Sequence, residues 1–424
     1  MKRSASADPR RIDDTTEFDG HDELGSRMSK TNQSKTKLIV LTLDAFAPSA
    51  LGCYGSSWNS TPAIDALAAG GCVWDRLITN NTDATATLEQ WMQQDDWMES
   101  WKPMGSIELL SDSQKAISLA AKTNFDQLFL IDPVDQSQEN GVAEDLESTQ
   151  FAQLIAAAVE RLGEDDDWSV LWLHSDFLRT CWDAPRWLVD AEPLAEWDDE
   201  PLDAAETLEA EMLESNQEST DSLDDLPYVF DQTSPPEIQL KADEHPDLIA
   251  TWMRTYGCQV RLVDELLRVL VTATADDDVT IVLAGTSGIS LGQNGWIGYQ
   301  AGPLRSCHIG VPMIVAGVGP TRIPQVRDAS IVPDTIAKLS QAECQLTDVD
   351  QWSHHEDVYQ PRVVSRRGST EHAITTPKWF FVEQKNDSHR LYLKPDDIND
   401  FNDISRLRSD VVDELSQNAD SDGA

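Results

Sequence analysis

The chain has 424 residues and a formal net charge of −43, from 75 acidic and 32 basic side chains. A charge of this size repels nucleic-acid backbones and anionic membrane surfaces, so we expect neither as a partner. The length suits one large α/β domain with an added subdomain, or two domains.

The N-terminal residues 1–34 are polar and charged and lack apolar periodicity, which predicts a disordered tail. Residues 1–20 contain no apolar stretch of the kind found in a secretory signal, so a cytoplasmic location is the simplest expectation. The chain also has no run of about 18 apolar residues, so we expect no membrane span.

The next segments alternate between strand and helix patterns. Residues 37–43 (KLIVLTL) form a short apolar run rich in branched side chains, which is typical of a strand buried on both faces of a parallel sheet. Further strands are predicted at 127–131, 170–174, 279–284 and 312–316, and helices at 63–70, 113–122, 150–162 and 248–272. This alternation indicates a doubly wound α/β sheet.

Residues 190–247 differ from their surroundings in charge, with twenty acids and a single base, Lys241. The composition predicts a long acidic insertion that is mostly disordered or weakly helical. Such a charge run is usually a solvated surface segment, and binding of a protein partner is the functional alternative.

The C-terminal region contains three short strand patterns and a closing helix. Strands are predicted at 362–365, 379–383 and 390–393, and a helix at about 404–415. We therefore divide the chain into an α/β domain at 35–345, a C-terminal subdomain at 346–416 and a disordered tail at 417–424. The six cysteines form no CxxC pair, so they predict buried free thiols and neither a zinc site nor a redox motif.

Two blocks resemble those of a known family. Residues 37–71 contain KLIVLTLDAF, GCYG and TPAIDALAAGG, and residues 279–319 contain VTIVLAGTSG, LGQNGW and VPMIVAGVG. These blocks resemble the two signature blocks of the sulfatase family, within the alkaline-phosphatase-like superfamily. The resemblance implies an α/β fold with a central mixed sheet flanked by helices and a small C-terminal antiparallel subdomain. It also implies hydrolysis of sulfate esters through a metal-bound formylglycine.

The metal positions implied by this resemblance are mostly substituted. The family holds its cation with paired Asp residues after the first strand and two further ligands in a later turn. Here Asp44 matches the first Asp, but Ala45 follows it, and Thr286 and Ser287 occupy the later positions. One carboxylate with two hydroxyls carries too little charge to strip a hydrated divalent ion, so we expect no cofactor, or calcium if the site functions. Alternatively, Asp44 only caps the turn after its strand.

The catalytic positions are also substituted. The family's C-x-P-x-R or S-x-P-x-R element is absent from residues 77–88, where Thr82, Thr85 and Thr87 are the hydroxyl candidates for a nucleophile. Their alternative role is in helix caps or turns. His174 matches the family's strand-end histidine without a second histidine after it, and Arg305 is the base nearest to the position of a substrate-binding residue.

Two functional hypotheses follow. In the first, the chain is an inactive pseudoenzyme that binds a sulfated or phosphorylated ligand, or a protein partner through residues 190–247. In the second, it is an active but atypical hydrolase of sulfate or phosphate esters that uses Asp44, a threonine of 82–87, Thr286 or Ser287, and His174. Asp83 or Asp176 would then complete the cation shell. Convergence of these side chains in one pocket would favour the second hypothesis. The sequence does not indicate an oligomeric state.

Overall fold

A nine-stranded mixed sheet forms the centre of the structure. The structure is a computed structural model that describes residues 37–132, 141–164, 167–190, 226–241, 247–275, 278–341, 362–384 and 388–421, all within one compact unit. The strands are β1 (Lys37–Leu43), β2 (Cys72–Ile78), β3 (Ser106–Ser111), β4 (Gln127–Leu130), β5 (Trp168–Ser175), β6 (Glu237–Gln239), β7 (Val279–Gly285), β8 (Ser290–Leu291), β9 (Trp296–Gly298), β10 (Gly310–Val311), β11 (Met313–Val315), β12 (Thr321–Asp328), β13 (Val363–Arg367), β14 (Glu371–Thr375), β15 (Trp379–Gln384) and β16 (Ser388–Leu393).

The order of the central sheet is β10-β2-β11-β7-β1-β5-β3-β4, with β12 paired to β2. The strands from β7 through β1, β5 and β3 to β4 are parallel, whereas β11 runs antiparallel to both of its neighbours. In this register Thr42 lies opposite both His174 and Ala284. The carboxyl ends of β7, β1, β5 and β3 therefore meet at one edge of the sheet, where open α/β folds place their ligands.

Helices cover both faces of this sheet. The helices of the described residues are Pro62–Ala69, Ala84–Met92, Asp95–Trp101, Gln114–Ala120, Gln150–Leu162, Phe177–Thr180, Leu248–Ala273, Ser306–Ile309, Ile331–Leu339 and Ser409–Ser421, the last of which packs on the C-terminal sheet. Alternate residues of β1 face different cores: Ile39 and Leu41 belong to one apolar cluster, and Leu38 and Val40 to the other. Each fully buried side chain of this kind contributes about 1.5–3 kcal/mol, which explains the continuous apolar pattern of β1.

The C-terminal subdomain is an antiparallel sheet in the order β13-β14-β15-β16. Its closing helix packs Val411, Val412 and Leu415 on the sheet. This helix begins at Ser409 and not near residue 404, because the backbone N–H groups of Leu391 and Ser405 both donate to the Asp403 carboxylate and so hold this segment against β16. It continues to Ser421, past the residue where we expected a disordered tail to begin.

The acidic segment contains regular structure where it is described. Residues 237–239 form β6, which pairs with β9 in a three-stranded sheet, because backbone pairing depends little on side-chain charge. Residues 191–225 and 242–246 of this segment, and the predicted tail at 1–34, lie outside the described residues. No helix within the described ranges has both the length and the apolar character needed to span a bilayer.

Candidate functional site

The turn after β1 places Asp44 at the carboxyl edge of the sheet. Ala45 adopts a left-handed conformation with φ of 54°, which is unusual for a residue other than glycine. Its backbone N–H donates to the Ser287 hydroxyl at 2.9 Å, and its carbonyl accepts from the Tyr256 hydroxyl at 2.8 Å. Ser287 therefore holds the turn in place, and the Asp44 side chain is buried beside it.

Two of the predicted site residues, Thr286 and His174, converge on the Asp44 carboxylate together with Arg179. Thr286 donates its hydroxyl to Oδ1 at 2.5 Å, and Nε2 of His174 lies 3.8 Å from the same oxygen. The second oxygen, Oδ2, accepts from Nε of Arg179 at 2.9 Å. Both carboxylate oxygens thus have hydrogen-bond donors from within the chain.

Arg179 is the central residue that the sequence did not single out. It lies on the short helix Phe177–Thr180 that follows β5, and its Nη2 donates to Oδ2 of Asp176 at 2.9 Å. Burial opposes the charged form, but the charges of Asp44 and Asp176 outweigh it and raise the pKa of Arg179. The guanidinium also lies over the ring of Tyr299, 5.6 Å from its centroid. A permanent cation therefore occupies the carboxyl edge of the sheet.

His174 is a satisfied strand-end histidine. Its Nδ1 lies 3.1 Å from the Thr42 hydroxyl, which also accepts from Nε1 of Trp172 at 2.9 Å. Burial lowers the pKa of His174 and outweighs the opposite effect of Asp44. The ring is therefore neutral at physiological pH and contributes no positive charge to the group.

A third carboxyl group, that of Asp112, lies beside Asp176. Asp112 accepts from the Ser175 hydroxyl at 2.5 Å and from the backbone N–H of Asp176 at 3.2 Å. Burial, together with the charge of Asp176, raises the pKa of Asp112 to about 7. Asp44 and Asp176 share the single guanidinium of Arg179, so the group presents an unfavourable environment for an anion.

The candidate nucleophiles lie at the start of the helix Ala84–Met92. The Thr82 carbonyl accepts from the Tyr299 hydroxyl at 3.1 Å, and the Thr85 backbone N–H donates to the Asp83 carboxylate at 3.0 Å. The Thr87 hydroxyl donates to the Asp83 carbonyl at 3.3 Å. Asp83 is thus the N-cap of this helix, and these threonines participate in capping and turn hydrogen bonds.

Arg305 contacts the C-terminal subdomain. Its guanidinium donates to the carbonyl of Asp400 at 2.8 Å and to the Tyr392 hydroxyl. Its side chain is buried between the helix that it precedes and the antiparallel sheet. In this position Arg305 joins the two parts of the chain, and its described hydrogen bonds do not involve Asp44 or Arg179.

The residues at the sheet edge do not fit a divalent metal ion. Calcium requires six to eight oxygen ligands, several of them anionic. Asp44 already has a donor on each oxygen, and Asp176 is paired with Arg179. Within the described ranges, no cluster of three or more His, Cys, Asp or Glu side chains is arranged to hold a metal. We therefore derive no reaction step through a metal.

Comparison with known proteins identifies the fold. No protein-family model and no curated protein matches the sequence. The phosphonate monoester hydrolase of Agrobacterium radiobacter aligns with a TM-score of 0.64 and 13% identity, over 91% of this chain and 94% of that one. The chain has the fold of this hydrolase and of solved sulfatases. The fold expected from the two signature blocks is thereby confirmed.

Two further structures support this assignment. The protein BT4656, in complex with its substrate D-glucosamine-2-N,6-O-disulfate, aligns with a TM-score of 0.61 and 13% identity, over 91% of this chain and 97% of that one. A 2-O GAG sulfatase aligns with a TM-score of 0.60 and 11% identity, over 91% of each chain. At this level of identity the similarity establishes the fold alone.

Proposed function

We propose that this protein is a pseudoenzyme, a sulfatase-like fold that binds a partner and does not hydrolyse esters. The observation that carries the proposal is the pairing of Arg179 with Asp44 and Asp176 at the carboxyl edge of the sheet. A divalent cation at this edge would need those carboxylates as its anionic ligands. Here both carboxylates instead form ion pairs with Arg179 of the same chain.

The candidate nucleophiles support the same proposal. A threonine hydroxyl becomes a nucleophile at neutral pH only beside a general base or a metal. The described hydrogen bonds of Thr82, Thr85 and Thr87 stay within the helix start and its neighbours Tyr299, Gln300 and Arg366. None of these bonds joins a threonine to His174 or Asp44.

The electrostatics favour a protein partner over an anionic ester. The sheet edge has more acidic than basic side chains, and the chain as a whole carries −43. Coulomb repulsion therefore disfavours a sulfated or phosphorylated ligand at this edge. We propose that residues 190–247, with twenty acids and one base, bind a protein with a basic surface.

The atypical hydrolase is the second candidate function. It is favoured by one observation, the convergence of Asp44, Thr286 and His174 at a single point. In this alternative the same hydroxyl and carboxyl groups would act on a sulfate or phosphate ester, and Arg179 would have to move away from Asp44.

Two measurements on the full chain test the proposal. The purified protein is assayed with aryl sulfate and aryl phosphate esters, with and without calcium, and its metal content is determined by elemental mass spectrometry. We expect no turnover above the background rate and no stoichiometric metal. Turnover that is lost in Asp44→Asn, together with a stoichiometric metal, would instead establish the hydrolase.

The role of the acidic segment has its own test. The Asp and Glu residues of 192–225 are replaced with Asn and Gln, and binding to a poly-lysine peptide is measured at low salt. A control variant carries the same number of replacements among exposed acids outside this segment. We expect a larger loss of affinity in the first variant; equal losses would show that only the total charge matters.

A further inference from the structure

The pair of carboxyl groups around Arg179 is built by the topology of the sheet. Asp44 follows β1 and Asp176 follows β5, and these two strands are parallel neighbours. One nitrogen of the guanidinium, Nε, donates to Asp44, and another, Nη2, donates to Asp176, both at 2.9 Å. Because the two nitrogens belong to the same planar group, one oxygen from each carboxyl group converges on one positive charge.

Burial makes this positive charge necessary. The side chains of Asp44, Asp176 and Arg179 are 3%, 13% and 15% exposed. A carboxylate removed from water to this degree is unfavourable unless a cation or several hydrogen-bond donors compensate it. His174 is held neutral by its burial, so within the described residues around Asp44 the guanidinium is the compensating charge.

The hydrogen-bond acceptors of the guanidinium are carboxylate oxygens. Two further oxygen-bearing side chains lie next to these carboxylates. The Thr286 hydroxyl donates to Asp44, and the Asp112 carboxyl group accepts the backbone N–H of Asp176. Hard divalent cations such as Ca²⁺ and Mg²⁺ are bound by such oxygens together with water. These surroundings thus suit a cation, and the chain itself provides one in the guanidinium of Arg179.

We infer that Arg179 takes the place of a bound cation, and that its removal would convert Asp44 and Asp176 into a binding site for a divalent cation. The inference deepens the proposed function and rests on it, since it gives the reason why the sheet edge has no capacity for a metal in the wild-type chain. It concerns stability and ion binding and requires no catalytic step.

The decisive variant is Arg179→Gln, which removes the charge but keeps a polar side chain. Its melting temperature is measured in EDTA and in a titration with calcium or magnesium chloride, and bound calcium is measured by equilibrium dialysis. We expect a lower melting temperature than wild type in EDTA, a saturable recovery with calcium, and one bound calcium per chain. We expect the wild-type melting temperature to show no such rise.

Two control variants separate this effect from a general response to calcium. Arg161→Gln breaks a comparable pair, in which Arg161 contacts the fully buried Glu108 at 2.8 Å and the exposed Asp167 at 2.9 Å, away from the sheet's carboxyl edge. The double variant Asp44→Asn/Arg179→Gln removes both charges. We expect neither control to recover with calcium.

Several outcomes would overturn the inference. They are a folded Arg179→Gln variant without calcium recovery, or recovery of equal size in Arg161→Gln or in the double variant. If Arg179→Gln does not stay folded in EDTA, its refolding yield from urea with and without calcium replaces the melting temperature. Hydrolysis by the wild-type protein would refute the proposed function without deciding this ion-binding result, so the two failures are distinguishable.

Discussion

The hydroxyl of Tyr299 accepts the backbone N–H of Ala84 at 2.9 Å, at the first residue of the helix Ala84–Met92. The same ring lies beneath the guanidinium of Arg179. Tyr299 therefore links the group around Asp44 with the start of the helix that carries Thr85 and Thr87. A helix N-terminus has free N–H groups that attract anions, and here a tyrosine oxygen fills that position.

Tyr299→Phe tests this link. The substitution keeps the ring beneath Arg179 but leaves the N–H of Ala84 without its acceptor, while the Thr82 carbonyl keeps its bond from Gln300 at 3.0 Å. We expect the free energy of unfolding to fall by about 1–2 kcal/mol in urea titrations. Tyr228→Phe, at an exposed tyrosine, is the control and is expected to change stability little. Equal stability of Tyr299→Phe and wild type would contradict the capping role.

A second helix start is capped from a distant element. Asp264, on the long helix Leu248–Ala273, accepts the backbone N–H groups of Ala63 at 3.1 Å and Ile64 at 2.8 Å. Asp264→Ala leaves two largely buried donors without partners, so we expect a loss of about 2–4 kcal/mol in the free energy of unfolding. Asp264→Asn keeps one acceptor oxygen and is expected to lose less. Glu265→Ala, at the adjacent and more exposed position, serves as the control; a loss as large as that of Asp264→Ala would refute the assignment.

The sequence predicts those strands whose side chains are apolar throughout. The bounds of β1 and β7 follow closely from the sequence, because both faces of each strand are buried and nearly every residue is apolar. β2 and β3 were not predicted, because each carries charged residues within the strand. Glu108 of β3 is fully buried and is compensated by Arg161 from the helix Gln150–Leu162, a partner that only the tertiary structure reveals.

The site was predicted in part for a similar reason. The resemblance located Asp44, Thr286 and His174, which follow or end strands that align with family motifs. Arg179 and Asp112 were missed, because their roles depend on which strands are neighbours in the sheet. The spacing of Asp176 and Arg179, three residues apart directly after a strand, is the signal that could have indicated an ion pair at this edge.

The raised pKa of Asp112 predicts that the stability of the fold depends on pH. Its pKa of about 7 in the folded state exceeds the value of about 4 in an unfolded chain, so the folded state binds more protons between these values. Its contribution to stability is therefore fully present below about pH 4 and is lost as the pH rises to about 7. In Asp112→Asn this loss is absent.

The measurement for Asp112 is urea unfolding of wild type and Asp112→Asn at several pH values. We expect the variant to gain at least about 1 kcal/mol relative to wild type between about pH 5 and about pH 8. Asp96→Asn, at an exposed aspartate, is the control and is expected to follow the wild-type pH dependence. A constant difference between Asp112→Asn and wild type would show that Asp112 does not titrate in this range.

The lowered pKa of His308 predicts the opposite change of stability with pH. Its Nδ1 accepts the backbone N–H of Arg305 at 3.1 Å, so the proton lies on Nε2, which is 3.1 Å from the Ala301 carbonyl. Burial, reinforced by the charge of Arg367, lowers the pKa of His308 to about 3. Since the unfolded chain has a value of about 6.5, the unfolded state binds more protons between these values. The contribution of His308 to stability is thus present above about pH 6.5 and is lost as the pH falls towards 3.

His308→Gln removes this titration while keeping polar atoms in the same space. We expect the variant to be less stable than wild type at about pH 7, because it loses well-placed hydrogen bonds, and the difference to shrink as the pH falls from about 6.5 to about 4.5. Urea unfolding across this range measures it. His389→Gln, at a partly exposed histidine beside Glu383, is the control. If the difference between His308→Gln and wild type were independent of pH, His308 would not be a histidine that stays neutral because it is buried in the folded state.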